Sequence, residues 1–111
     1  MHAVAIRTDA IEADPGLPTA VFEMYSKAKQ IAYANMETTT SLKVTLPWVT
    51  QELEDTRKLM GENFWPYGIE PNRKELELVM RYTHEQGLVK RRLKFEELFH
   101  PSTLELKEDT A

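Results

Sequence analysis

Three side chains in this chain of 111 residues can exchange a proton near neutral pH: His2, His84 and His100. There is no cysteine, which excludes disulfides, thiolate metal sites and cysteine nucleophiles. No two histidines stand at the spacing of a metal pair, and no cofactor motif is present, so neither a metal nor a cofactor is expected. Arg7 and Arg73 carry guanidinium forks able to hold a carboxylate through two parallel hydrogen bonds. Trp65 and Tyr67 offer flat faces for an aromatic ring, together with an N–H and an O–H. Each also has a plainer reading. His2 is close to a chain end, where residues are poorly ordered. Arg73 sits in a first helical turn within reach of Glu70 and Glu77. Trp65 and Tyr67 suit an apolar plug between helices. His84 borders an apolar stripe and fits a partly buried structural role, and His100 fits a complement to a helix dipole.

These residues need elements to hold them. His2 to Arg7 reads as one short strand, with β-branched Val4 and Ile6. Nothing else in the sequence reads as its partner, and an unpaired strand is a liability. A long helix is predicted from Pro18, with Val21, Met24, Tyr25, Ala28, Ile31, Ala32 and Met36 on one face and Lys27 and Gln30 opposite. The polar run Thr38 to Ser41 ends it. A second helix is predicted from Pro47 to Met60, with Val49, Leu53, Thr56 and Met60 inward and an i,i+4 pair from Glu54 to Lys58. Gly61 takes the cap. The prolines and glycine of Phe64 to Pro71 exclude a helix there. Asn72 opens the next, with Glu75 as its capping box, and Gly87 closes it. That helix has two apolar sides, one of Leu76, Val79, Met80 and Thr83, the other of Leu78 and Tyr82. A short last helix covers Phe95 to Phe99, and a polar, frayed tail follows from Glu105. The expected architecture is therefore mainly α: three to four helices plus one N-terminal strand.

Composition narrows the function classes. Fourteen basic against eighteen acidic residues give a net charge of -4, which argues against a nucleic-acid or anionic-membrane binder. The basic cluster Lys90, Arg91, Arg92 and Lys94 is expected to pair with Glu96 and Glu97. No apolar run is long enough to cross a bilayer, and the first seven residues do not form a signal peptide. If the chain is whole, a cytoplasmic location is expected.

The most specific stretch is Phe64-Trp65-Pro66-Tyr67-Gly68-Ile69-Glu70-Pro71-Asn72-Arg73-Lys74. With Arg81-Tyr82-Thr83-His84-Glu85-Gln86-Gly87-Leu88, Glu96-Glu97-Leu98-Phe99-His100-Pro101, Leu46-Pro47-Trp48 and Glu54-Asp55-Thr56-Arg57, it resembles the C-terminal end of the 4,5-dihydroxyphthalate decarboxylase family. The resemblance spans residues 1–104, leaving 105–111 as tail. It implies the C-terminal part of an α/β, two-lobed fold of the type II periplasmic-binding-protein kind, with most of both lobes absent and Met1 standing at an internal methionine of the family. Lys94-Phe95 departs from the family's Ser or Thr followed by Pro, which weakens the cap of the last helix.

That resemblance also implies conversion of an aromatic dicarboxylate to protocatechuate and carbon dioxide. Such chemistry needs an acid at the ring carbon, an acceptor at the phenol and cations for two carboxylates. His2 is the expected acid or base, near the crossover between lobes. Arg7, Arg73, Trp65 and Tyr67 are the expected substrate-binding residues. The isolated chain is expected to be inactive. Two rivals stand beside this reading: a fragment of a transporter-type substrate-binding protein for an aromatic or pyrimidine-like ligand, and a small helical module that self-associates through exposed apolar helix faces.

Overall fold

A computed structural model describes residues 2–41 and 43–108. Five α-helices are present among them: α1 (Thr8–Ala13), α2 (Leu17–Glu37), α3 (Val49–Met60), α4 (Arg73–Glu85) and α5 (Phe95–Leu98). Short 3-10 turns at Glu70–Asn72 and Pro101–Thr103 precede α4 and follow α5. The described residues contain no β-strand, so the strand expected at His2 to Arg7 is corrected to a coil. The reason is physical: a strand exists through ladder bonds to a neighbour, and no second strand is available here.

The chain divides into two compact units. One joins the residues up to Glu23 with those from Tyr67 onward; the other is Met24–Pro66. In the first, Ile69, Leu76 and Met80 form the core together with Pro18. Leu76 and Met80 are one turn apart on α4, which places both on the same side, with Thr83 a further turn on. Val79 and Tyr82, read in the sequence as apolar faces, are exposed instead. Gly87, at φ +74°, ends α4 in a Schellman turn: the Leu88 N–H bonds to the Thr83 carbonyl at 2.9 Å and the Gly87 N–H to that of His84 at 3.0 Å. The expected Asn72 capping box is absent. Asn72 turns its amide back to donate to the Gly68 carbonyl at 2.9 Å, tightening the preceding loop. A carboxylate cap forms at α5, where Glu97 accepts the backbone N–H of Lys94 at 2.7 Å. Lysine has no acceptor to complete a reciprocal box, so Glu97 alone replaces the hydroxyl cap expected to be missing.

The residues from Glu105 were expected to fray. Those described beyond it dock: Leu106 and Glu108 are half-buried, and a Glu108 carboxylate oxygen accepts the Tyr67 N–H at 2.9 Å. A cheap backbone donor in a Pro- and Gly-rich loop thus finds its partner in the tail.

In the second unit, Leu53 of α3 is buried, and the rings of Tyr33 and Phe64 stack with centroids 4.7 Å apart. Lys29 donates to Asn63 Oδ1 at 2.9 Å and to the Trp65 carbonyl at 2.8 Å, tying α2 to the loop after α3. Arg57 binds the Glu37 carboxylate and reaches Glu62 at 3.1 Å. Helix α3 begins at Val49 rather than Pro47 because Trp48 is left-handed, at φ 59°. The expected Glu54–Lys58 pair does not form; Lys58 reaches Asp55 at 3.1 Å, where Gln51 also donates.

The long helix holds the largest reversal. Met24, Tyr25, Ala28, Ile31 and Ala32, expected to face inward, are exposed, whereas Ser26 is buried and Lys29, Gln30 and Tyr33 are half-buried. Periodicity identified the stripe correctly but could not say what it faces.

Candidate functional site

Arg7 sits immediately before α1, in an extended conformation, and its fork closes on Asp9 with Nε to Oδ1 at 3.0 Å and the terminal nitrogen to Oδ2 at 2.5 Å. Two residues of separation across a helix start bring these groups side by side. The guanidinium holds the Asp9 carboxyl below the usual carboxylate range. His2, five residues earlier, is exposed.

Arg73 is likewise engaged. As the first residue of α4 it lies one turn after Glu70, whose two carboxylate oxygens take its Nε–H and a terminal N–H. Its guanidinium carbon also stands 5.2 Å from the centre of the Phe95 ring, a cation–π distance. Arg73 keeps the Glu70 carboxyl below its ordinary value, and Glu70 raises the Arg73 guanidinium in return. Both forks expected to grip a carboxylate therefore do so, with carboxylates of this chain as the partners.

Trp65 exposes its indole, while its carbonyl is fixed by Lys29. Tyr67 is half-buried and is anchored by its backbone N–H to Glu108. Neither His84 nor His100 has its expected setting. His84 is exposed rather than partly buried, with Nδ1 3.4 Å from the Val89 carbonyl. His100 starts the 3-10 turn at Pro101–Thr103: its Nδ1 accepts the Ser102 N–H at 3.3 Å and lies 2.8 Å from Ser102 Oγ. It serves the turn that follows it, since the four-residue α5 before it has almost no dipole to complement.

An open depression of about 460 Å³ lies in the first unit. Ile6, Ile11, Pro15, Leu98 and Phe99 line it, with Glu12, Glu97 and His100 adding polar atoms. None of His2, Arg7, Trp65, Tyr67 and Arg73 lines it. Sequence reasoning had not joined these linings, because residues 6–15 and 97–100 come from opposite ends of the chain and no local spacing connects them. Two of its polar groups are already committed, His100 to Ser102 and Glu97 to Arg91. No group of three or more histidine, aspartate and glutamate side chains suited to a metal occurs among the described residues. No helix is long and apolar enough to cross a membrane among them either.

Both arginine forks are thus paired with carboxylates of this chain, and the depression is lined by none of the residues expected to bind substrate. No family model matches the chain, but comparison with known proteins finds it similar to a decarboxylase. That relative is the 4,5-dihydroxyphthalate decarboxylase of Comamonas testosteroni, 37% identical over 105 residues, which is 95% of this chain and 32% of that protein. The chain therefore spans about a third of the length of the relative it matches.

Proposed function

We propose that this chain is the C-terminal part of a decarboxylase acting on 4,5-dihydroxyphthalate or a close aromatic dicarboxylate, of the type II periplasmic-binding-protein kind of fold, and that it is inactive alone. The observation carrying this is the similarity to the Comamonas testosteroni enzyme along 95% of the chain but only 32% of that enzyme. A substrate cleft between two lobes cannot be assembled from part of one.

In the full-length protein the reaction moves one proton onto the ring and releases carbon dioxide. The hydroxyl para to the departing carboxylate gives up its proton as the ring carbon bearing that carboxylate gains one, yielding a dearomatised, keto-like intermediate. The ring–carboxylate bond then breaks, its electron pair restores the aromatic ring and leaves the former carbonyl as a phenolate, and that oxygen takes back a proton to give protocatechuate. His2 is the proposed proton carrier, a role its residue type suits. Arg7 and Arg73 are the proposed grips for the two carboxylates, exchanging Asp9 and Glu70 for substrate. Their present pairing with carboxylates supports that assignment, since the fork geometry is the one a phthalate carboxylate would meet. Trp65 and Tyr67 are the proposed ring-stacking and hydrogen-bonding residues.

The direct test is to incubate the purified chain with 4,5-dihydroxyphthalate and follow protocatechuate by chromatography. No product is expected at any enzyme concentration. Catalytic turnover by the chain alone would overturn the reading.

A further inference from the structure

Helix α2 leaves an apolar stripe outside the packed interior. Met24, Tyr25 and Ile31 are 59%, 44% and 53% exposed, and Ala28 and Ala32 beside them are exposed as well. These five occupy positions i, i+1, i+4, i+7 and i+8, so they form one continuous stripe about 12 Å long. Lys27, three residues after Met24 and four before Ile31, borders it as an exposed charged neighbour. The side of α2 turned inward is mixed: Phe22, Tyr33 and Met36 are half-buried there beside Lys29 and Gln30, and Ser26 is buried, its Oγ without a hydrogen-bond partner among the described residues. Rolling the helix about its axis would exchange the two faces, but the Tyr33–Phe64 stack and the two Lys29 bonds hold it as it is. The stripe is thus exposed because the neighbouring contacts fix it outward.

We propose that the Met24–Ala32 stripe of α2 is a docking face for the part of a decarboxylase-length polypeptide that lies outside the matched third, which covers it with an apolar surface. The inference rests on the decarboxylase reading, and the observation naming the occupant is the length of the relative: about two thirds of it has no counterpart here. An uncharged apolar stripe also fits a polypeptide core and not a nucleic acid or an ionic ligand, which would require charge.

The test uses a hybrid in which this chain replaces the matching segment of the Comamonas testosteroni enzyme. Met24→Glu and Ile31→Glu are made in the hybrid and in the 111-residue chain, with Ala34→Glu, off the stripe, as control. In the chain alone, each stripe substitution should leave helicity unchanged and the melting temperature within about 2 °C, since both positions are exposed. In the hybrid each should lower the melting temperature by about 8 °C or more, because a charge is then buried in an apolar contact. The control should move neither. A hybrid no more sensitive than the chain overturns the proposal. So does sedimentation of the chain as a dimer that either glutamate dissociates, which would make a second copy the occupant. Turnover separates the two readings: an active hybrid indifferent to these charges defeats the docking face alone, and a folded, charge-sensitive, inactive hybrid defeats the decarboxylase reading alone.

Discussion

Arg73 and Glu70 are joined fork to fork across one turn at the start of α4, and the same guanidinium lies 5.2 Å from the ring centre of Phe95. One arginine thus ties the head of α4 to its preceding turn and to α5. A role in substrate binding requires it to trade Glu70 for a substrate carboxylate. Lysine keeps the charge but loses the fork. Arg73→Lys in the hybrid enzyme is therefore expected to raise KM by about tenfold with kcat little changed. A structural arginine would leave KM where it was and alter only the melting temperature.

The Glu97 carboxyl is pulled down to about 2 from its ordinary 4.5, first by the Arg91 guanidinium and then by the Lys94 backbone N–H. A carboxyl whose folded value is depressed adds stability that is complete above its unfolded value and is lost as pH falls through the folded one. The α5 cap should accordingly weaken between about pH 4.5 and pH 2, and Glu70, lowered by Arg73, acts in the same direction. The protection of the Lys94 amide against exchange, taken relative to its intrinsic rate at each pH, should fall down this range in the wild type. In Glu97→Gln it should start low and stay nearly flat.

Gly68 sits at φ +104°, and a Cβ built there would lie 2.9 Å from the backbone carbonyl oxygen of Leu106. Gly61 is at φ +89° with nothing within 4 Å of the same position. Both carry the conformational cost of a positive φ, but only Gly68 adds a clash with backbone that cannot swing aside. Gly68→Ala should cost about 2–3 kcal/mol and expose the tail to protease, whereas Gly61→Ala should cost about 1 kcal/mol. Denaturant melts and limited proteolysis read both.

Two leucines on α3 make a similar contrast. Leu53 is 9% exposed and Leu59 86%. Leu53→Ala should destabilise the chain by about 2–3 kcal/mol through the cavity it leaves. Leu59→Ala should stay within about 0.5 kcal/mol. Equal losses would mean that α3 faces another way.

Much of this was legible in the amino-acid string, and the exceptions share a cause. Helix ends followed from local chemistry: Gly87 gave the stop of α4, and the Phe64–Pro71 stretch excluded a helix. The pairing of the Lys90–Lys94 cluster with Glu97 was also readable, because charge complementarity over six residues is local. What failed was long-range. The strand at His2 to Arg7 required a partner that spacing cannot supply, and the docking of Glu108 on Tyr67 joins residues far apart in the chain. The direction of the α2 stripe failed for the same reason, since a periodic pattern names a face without naming its neighbour. As for the site, the arginines were identified by their chemistry, and Glu70 was legible as a partner of Arg73 from the helical spacing, whereas the closure of Arg7 on Asp9 depends on the extended backbone just before α1.

The central claim is that this sequence supplies about a third of a decarboxylase. Its most direct test is the turnover number of the hybrid in which it replaces the matching segment of the Comamonas testosteroni enzyme. Release of carbon dioxide from 4,5-dihydroxyphthalate is expected within about a hundredfold of the parent rate, falling by a further factor of about 100 or more in His2→Asn. A folded hybrid that binds the substrate and releases no carbon dioxide would contradict it.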